Sequence, residues 1–543
     1  MLAGILGQFG GTIYICSPSY YLSKTNNQYT MKKTILAFIV GCIALTVTAQ
    51  TKITLNTDLA KTKINKHIYG HFAEHLGRCI YGGMYVGEGN TKIPNTAGVR
   101  NDVIQALKEL KVPNLRWPGG CFADAYQWKD GIGPKEKRPK MVNVWWGGVT
   151  EDNSFGTHDF LDLCERIGAE PYLAGNVGSG TVQDLADWVS YVNQPTGSPM
   201  SDLRIQNGRK QPWNVKIWGV GNEAWGCGGN MTPDYYANIY RQYATFMKDI
   251  TPESKLYKVA SGASSDDFVW TETLMKNIPH NMMSALALHH YSVLSWKDTK
   301  GPSVGFTETQ YFKTMDEAWK MEDFITKHST IMDKYDPEKK IDLIVDEWGG
   351  WYETDAEGKG ALYQQNTMRD AMIAGLTLNI FNNHADRVRG ANLAQIVNVL
   401  QAVILTNEEK ILLTPTFHVM KMYNVHQDAT LVPMSIESPT YELNGKKLTA
   451  VSSSASKDAA GVLNISLTNI DYRKSHEVTI NLRGEDFSKV SGQILASINI
   501  SDHNTFEQPN NVSVKDFSGV KFEKGVLKLT IPAYSVVVLK ITK

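Results

Sequence analysis

Charge of one sign is the first thing this sequence lacks. Lys+Arg and Asp+Glu each number 55 in 543 residues, so the formal net charge is zero, and no basic run is concentrated anywhere. A polyanion binder needs a basic face, so nucleic acid is not an expected partner. Cysteine is scarce: there are six, with no CxxC and no paired spacing. Neither a zinc site nor a disulfide framework is signalled. Cys79, Cys121, Cys164 and Cys227 are expected to be free buried thiols; export leaves one disulfide conceivable but not predictable. No Gly-rich phosphate turn follows an early strand, which argues against an open dinucleotide-binding sheet and an oxidoreductase. Internal repeats and low-complexity linkers are also missing.

What is present begins with an address. Met31-Lys32-Lys33 is a positive start, residues 34–47 are mostly apolar, and Val47-Thr48-Ala49 supplies small residues before a cut at Gln50. This layout predicts a secretory signal peptide within residues 1–49, with Met31 as the true start. The apolar stretch is too short for a comfortable membrane span. Cys42 resembles a lipoprotein box, but the residues after it stay apolar, which favours cleavage at Ala49. The expectation is an exported protein, periplasmic or extracellular, with no integral span in the mature chain.

Residues 67–420 alternate short apolar runs with helical patterns. The runs are 67–72, 112–117, 170–176, 215–222, 258–262, 285–291, 342–347 and 388–396. Helix candidates lie at 99–110, 157–167, 181–193, 232–250, 268–278, 314–335 and 360–381. Strand–helix alternation implies parallel strands, and eight such units predict a (β/α)₈ barrel, an α/β fold. From 421 to 543 the texture changes to short alternating runs with turn signals such as Asn444-Gly445, which predicts an all-β sandwich. The segment 50–66 is strand-like at Lys52–Leu55 and is expected to join that sandwich.

A barrel carries its chemistry at the C-terminal ends of its strands. Polar residues from six runs gather there: Glu74 and His75; Arg116; Asn222 and Glu223; His289, His290 and Tyr291; Asp346 and Glu347; Asn392 and Gln395. Glutamate is rarely buried unless paired, so Glu223 and Glu347 directly after apolar strands are informative. Glycosidic cleavage needs one carboxyl protonated, to donate to the leaving oxygen. The other must be ionised, to attack the anomeric carbon or activate water. The fourth and seventh strands face each other across the mouth, so these two glutamates are the candidate pair. His289 and His290 read as core histidines or, with less support, metal ligands; no third ligand at zinc spacing is evident. Gly119-Gly120 reads as a turn or a close approach to ligand. Trp145, Trp146, Trp348 and Trp351 read as core or as a sugar platform.

Taken together, these segments resemble the family 51 glycoside hydrolases, the α-L-arabinofuranosidases. The matching text is IYGHFAEHLGRCIYGGMYVGE at 68–88, LRWPGGCFADAYQWKDGIGP at 115–134, WGVGNEAWGCGG at 218–229, HHYS at 289–292, DEWGGWY at 346–352 and ANLAQIVNVL at 391–400. The resemblance spans almost the whole mature chain. It implies a barrel with a sandwich built from both chain ends. It implies Glu223 as acid/base and Glu347 as nucleophile of a retaining, double-displacement hydrolase. It implies Glu74 as a furanose-binding carboxylate, Asn222 on the substrate 2-hydroxyl, Tyr291 orienting the nucleophile, and Gln395 in the pocket. Cys121 stands where many members carry Asn, which puts one sugar contact in doubt. The implied substrates are arabinan, arabinoxylan or arabino-oligosaccharides, with no metal or organic cofactor, and relatives often form homo-oligomers. The rivals are a β-xylosidase or endoglucanase using the same glutamates, or a non-catalytic polysaccharide-binding protein.

Overall fold

The computed structural model describes residues 50–355 and 360–543. The expected leader at 1–49 lies outside the described residues. Among the described residues, no helix is long and apolar enough to cross a membrane.

Eight strands close into one parallel barrel: Gly70–Phe72, Asn114–Trp117, Glu170–Gly175, Ile217–Val220, Tyr257–Ser264, Ala285–Ser292, Asp342–Gly350 and Val388–Ala394. They are numbered one to eight below. Each coincides with a run read from the sequence. Their residues are buried almost throughout, as expected of parallel strands covered on both faces. Five helices start behind a threonine that caps them. The side chains of Thr181, Thr232, Thr307, Thr367 and Thr414 each accept a backbone N–H of the first turn. Such caps contribute about 1 kcal/mol apiece.

Those caps also explain two shifted boundaries. The helix expected at 314–335 begins six residues earlier, at Glu308, because Thr307 supplies the cap. The helix expected from 360 begins at Met368, behind the Thr367 cap. Two short helices, Pro199–Gln206 and Pro415–Tyr423, were not legible as periodic patterns.

Two sheets follow the barrel. The five-stranded sheet runs Met434–Glu437, Thr51–Asn56, His476–Arg483, Val526–Ile531, Lys521–Glu523. The N-terminal strand sits inside it, parallel to His476–Arg483 and antiparallel to Met434–Glu437. The six-stranded sheet places Leu463–Asn469 and Ser535–Thr542 at its centre.

The helix Met368–Asn383 joins barrel to sheet, and nearly all of its residues are buried. Its asparagines are satisfied across the boundary. Asn379 Nδ2 donates to Ser452 Oγ (3.0 Å), Asn382 Nδ2 donates to Ser454 Oγ (3.0 Å), and Tyr69 OH donates to Asn382 Oδ1 (2.9 Å). Gly375 permits the contact: a Cβ there would lie 2.4 Å from Thr468 Oγ1.

Candidate active site

The fourth strand ends at Val220, and the following turn carries Asn222 and Glu223, the latter with φ +42°. A non-glycine residue in the left-handed region is uncommon and costly, and such residues cluster at functional sites. The seventh strand carries Glu347 within its span. Strands six and seven pair in register His289 with Glu347, after a one-residue shift beyond Leu288. That shift aligns the histidine with the carboxylate.

Glu223, His289 and Glu347 each present one ligand atom, and these three atoms lie within 4.8 Å of one another. His289 Nδ1 is 3.0 Å from Glu223 Oε1 and 3.7 Å from Glu347 Oε2. Burial works against a charge on His289, but the carboxylates of Glu347 and Glu223 outweigh it and raise its pKa. Glu347 is buried, which would raise its pKa. The charges of His289 and Arg116, with hydrogen bonds from Arg116 and Tyr291, bring it below the ordinary carboxylate value. Arg116 Nη1 donates to Glu347 Oε1 at 2.9 Å, and Tyr291 OH donates to Oε2 at 2.7 Å. This carboxylate is therefore held ionised and fixed in place.

Arg116 also donates through Nη2 to Asn222 Oδ1 (2.5 Å), so one guanidinium orients residues from two strand ends. The Asn222 N–H in turn donates to Asp124 Oδ2 (2.8 Å), whose other oxygen accepts from Val177 and Gly178. Asp124 thereby fastens three loops. Burial pushes its pKa up to about 7 against those bonds.

Glu74 is buried and accepts from Phe122 N–H (3.0 Å), Trp146 Nε1 (2.9 Å) and Gln395 Nε2 (3.1 Å). Burial, with the nearby Glu347 charge, pushes its pKa up to about 7. A Cβ on Gly120 would come within 2.9 Å of this carboxylate, so the glycine makes room for Glu74. Gln395 Oε1 is buried without a hydrogen-bond partner in the protein. Glu74, Cys121, Glu223, Tyr291, Glu347 and Gln395 all line one cavity of 340 Å³, within the range of small-ligand sites. Asn222 is buried beside it and is not among its lining residues. A larger cavity of 660 Å³ is lined by residues such as Asn114, Glu170 and Ile217, at the opposite ends of the strands, and it meets neither Glu223 nor Glu347.

Several sequence readings change here. Cys121 is not a free thiol: it forms a disulfide with Cys227, and only Cys79 and Cys164 remain free among the described cysteines. The 106-residue separation and the lack of any pattern hid this pairing. His289 belongs with the glutamates. His290 is structural, held by Ser265 Oγ (3.0 Å) and Glu317 O (2.9 Å). Trp348 is core, packed edge-on to Phe381, whereas Trp146 and Trp351 line the cavity. Trp146 rides on a hairpin, Met141–Val142 with Thr150–Glu151, that no alternation announced. His75 anchors that hairpin: its Nε2 accepts from Trp117 Nε1 (3.1 Å), leaving Nδ1–H to donate to Glu151 (3.2 Å). Arg116 was placed on the rim by the sequence but given no role there. The criterion applied to the glutamates, a buried charge at a strand end, would have singled it out.

An eight-stranded parallel barrel with two glutamates facing each other at the strand ends defines the class: a barrel glycoside hydrolase. Comparison with known proteins carries this further. Residues 106–303 match the alpha-L-arabinofuranosidase 1 domain, and residues 346–535 match the alpha-L-arabinofuranosidase C-terminal domain. An intracellular exo-alpha-L-arabinofuranosidase of Bacteroides ovatus is 51% identical over 507 residues, covering 93% of this chain and 98% of its own. The crystal structure of the arabinofuranosidase from Xanthomonas axonopodis pv. citri has 45% identity and a TM-score of 0.89, covering 91% of this chain and all of its own. An arabinose complex of the Thermotoga maritima enzyme has 30% identity and a TM-score of 0.80, covering 90% and 99%. The chain belongs to the family 51 α-L-arabinofuranosidases. The expectation of export through a signal peptide is corrected by the same comparison, because the Bacteroides ovatus relative is named as intracellular.

Proposed function

We propose that the chain removes terminal non-reducing α-L-arabinofuranosyl residues by double displacement, with Glu347 as nucleophile and Glu223 as acid/base. One observation carries the reading. Oxygens of the two glutamates approach within 4.8 Å. Inversion needs carboxyl groups about 6.5–9.5 Å apart to admit a water, whereas retention uses about 5–5.5 Å. Glu347, held ionised by Arg116, His289 and Tyr291, attacks the anomeric carbon. Glu223 gives its proton to the leaving oxygen, and a covalent arabinosyl-enzyme forms. Glu223 then takes a proton from water, which attacks the same carbon and releases arabinose.

Glu74, Gln395 and Trp146 bind the furanose hydroxyls in this scheme. The unpartnered Gln395 Oε1 supports it, since a buried acceptor without a donor is costly until a ligand hydroxyl supplies one. The disulfide leaves Cys121 no S–H to offer, so its contribution there comes from the backbone. A cavity of 340 Å³ suits one sugar and an exo action on arabinan, arabinoxylan or arabino-oligosaccharides. The test is hydrolysis of 4-nitrophenyl α-L-arabinofuranoside. Glu347→Ala should abolish release, and Glu223→Ala should regain it with azide and give the α-configured glycosyl azide, the substrate's configuration retained through two displacements. Release by wild type that survives Glu347→Ala would overturn the assignment.

A further inference from the structure

We propose that Cys121, Cys227 and Glu223 form a binding site for a soft divalent cation, which opens when the disulfide is reduced and shuts off turnover. The pair is placed for it. Cys121 opens the turn after the second strand, and Cys227 lies four residues beyond Glu223. Both are half-buried, and Cys121 lines the catalytic cavity, so small solutes reach the bond. Cys79 and Cys164 are fully buried, and burial pushes the Cys79 thiol up to about 12 and Cys164 well above its ordinary value. Only the paired cysteines offer accessible thiol chemistry among the described residues.

Glu223 completes the site. Its Oε1 is engaged by His289 Nδ1 at 3.0 Å. Its Oε2 faces Cys227 Sγ at 3.4 Å, a contact in which the disulfide sulfur has no hydrogen to donate. That oxygen, aimed at the sulfur pair, meets no other protein donor among the described residues. One ligand atom from each of Cys121, Glu223 and Cys227 lies within 4.8 Å of the others. Once the S–S bond is broken, the sulfurs separate to non-bonded contact. Two sulfurs on one tetrahedral cation, with bonds of about 2.3 Å, stand about 3.7 Å apart. Two thiolates and a carboxylate are a ligand set for zinc or cadmium, with a fourth position open to water from the cavity.

The chemistry balances. A phosphine gives its electron pair to one sulfur, the S–S bond breaks, and the other sulfur leaves as thiolate. Water then carries the phosphorus to its oxide and supplies the protons of two thiols. The cation displaces both thiol protons when it binds, so affinity rises with pH. Metal on Oε2 prevents Glu223 from delivering a proton to the leaving oxygen. This consequence rests on Glu223 being the acid/base; the binding itself does not.

The experiment uses the full chain, reduced with a water-soluble phosphine that is then removed, and titrated with cadmium. A sulfur-to-cadmium charge-transfer band should grow to one cadmium per chain while arabinofuranoside hydrolysis falls in step. The oxidised enzyme should show no band and need about 100-fold more cadmium for the same inhibition, and Glu223→Gln should weaken binding by about 10-fold. Chelation followed by reoxidation should restore activity. Equal inhibition of oxidised and reduced enzyme would overturn the proposal, as would a band that persists in Cys227→Ser, or a reduced barrel that unfolds by circular dichroism. Should Cys227→Ser not fold, reduced wild type alkylated with iodoacetamide serves the same comparison. An oxidised enzyme without arabinofuranosidase activity would defeat the functional reading, while the band would still report the site.

Discussion

Tyr291→Phe removes one oxygen and keeps the ring that packs edge-on against Trp351 at 5.1 Å. The lost group is the hydroxyl donating to Glu347 Oε2 at 2.7 Å. A hydrogen bond to a charged group contributes about 1.5–3 kcal/mol. At about 1.4 kcal/mol per pKa unit, its full loss would raise the carboxyl by about one to two units. Arg116 and His289 remain and hold part of the charge, so we expect about one unit. The sign follows from the role. Glu347 reacts only when ionised, and its pKa lies below the ordinary value, so the acid limb of kcat/KM lies low in wild type. In Tyr291→Phe that limb moves upward. The neutral-pH plateau also falls, by about 10- to 100-fold, because the nucleophile loses a fixed orientation. The assay is kcat/KM for 4-nitrophenyl α-L-arabinofuranoside from about pH 3 to about pH 8. A plateau that falls while the limb stays in place, or moves down, would refute the reasoning: the hydroxyl would then act on the sugar and not through the carboxylate.

Three further outcomes are expected. Trp146→Phe removes the indole donor on Glu74, and a bond of about 1–2 kcal/mol predicts a 5- to 30-fold loss in kcat/KM, mostly in KM, by steady-state kinetics. Gly375→Ala drives a methyl to 2.4 Å from Thr468 Oγ1 and 3.1 Å from Val536 Cγ2; overpacking of this kind costs about 1–3 kcal/mol, to be read as a lower Tm with the active site untouched. Asp124 and Glu74 have folded pKa values raised to about 7, so the stability tied to their protonated forms is fully present below pH 4 and is lost as pH rises towards 7. Asp124→Asn should flatten the decline of Tm over that window, and an unchanged slope would remove Asp124 as a contributor.

Much of the fold was legible because parallel barrel strands are buried on both faces and read as apolar runs. Residues 285–291 and 342–347 announced themselves this way, and the strand-end rule then pointed to Glu223 and Glu347. Cys121–Cys227 was not legible, since proximity across the barrel mouth leaves no trace in spacing. His289 was seen but misassigned. Adjacent histidines alternate faces along a strand, and only the register with the seventh strand shows which one meets Glu347. The hairpin carrying Trp146 has strands of two residues, too short for any alternation, and is held instead by side chains such as Asn143 and Glu151.

The helix Met368–Asn383 has no face left for water. It is therefore shared property: the seventh barrel strand feeds it, and the six-stranded sheet covers it. The catalytic half of this molecule cannot be cut out and expressed by itself without laying bare Leu376, Leu378, Ile380 and their neighbours, a recipe for aggregation. Nor can the sheet be exchanged for a relative's unless the helix travels with it. For anyone building chimaeras, the natural seam is not the boundary between barrel and sheet. Deleting the last eight or nine residues would also strip out the central strand Ser535–Thr542, so the far end of the chain holds the roof over a helix that begins more than 150 residues earlier.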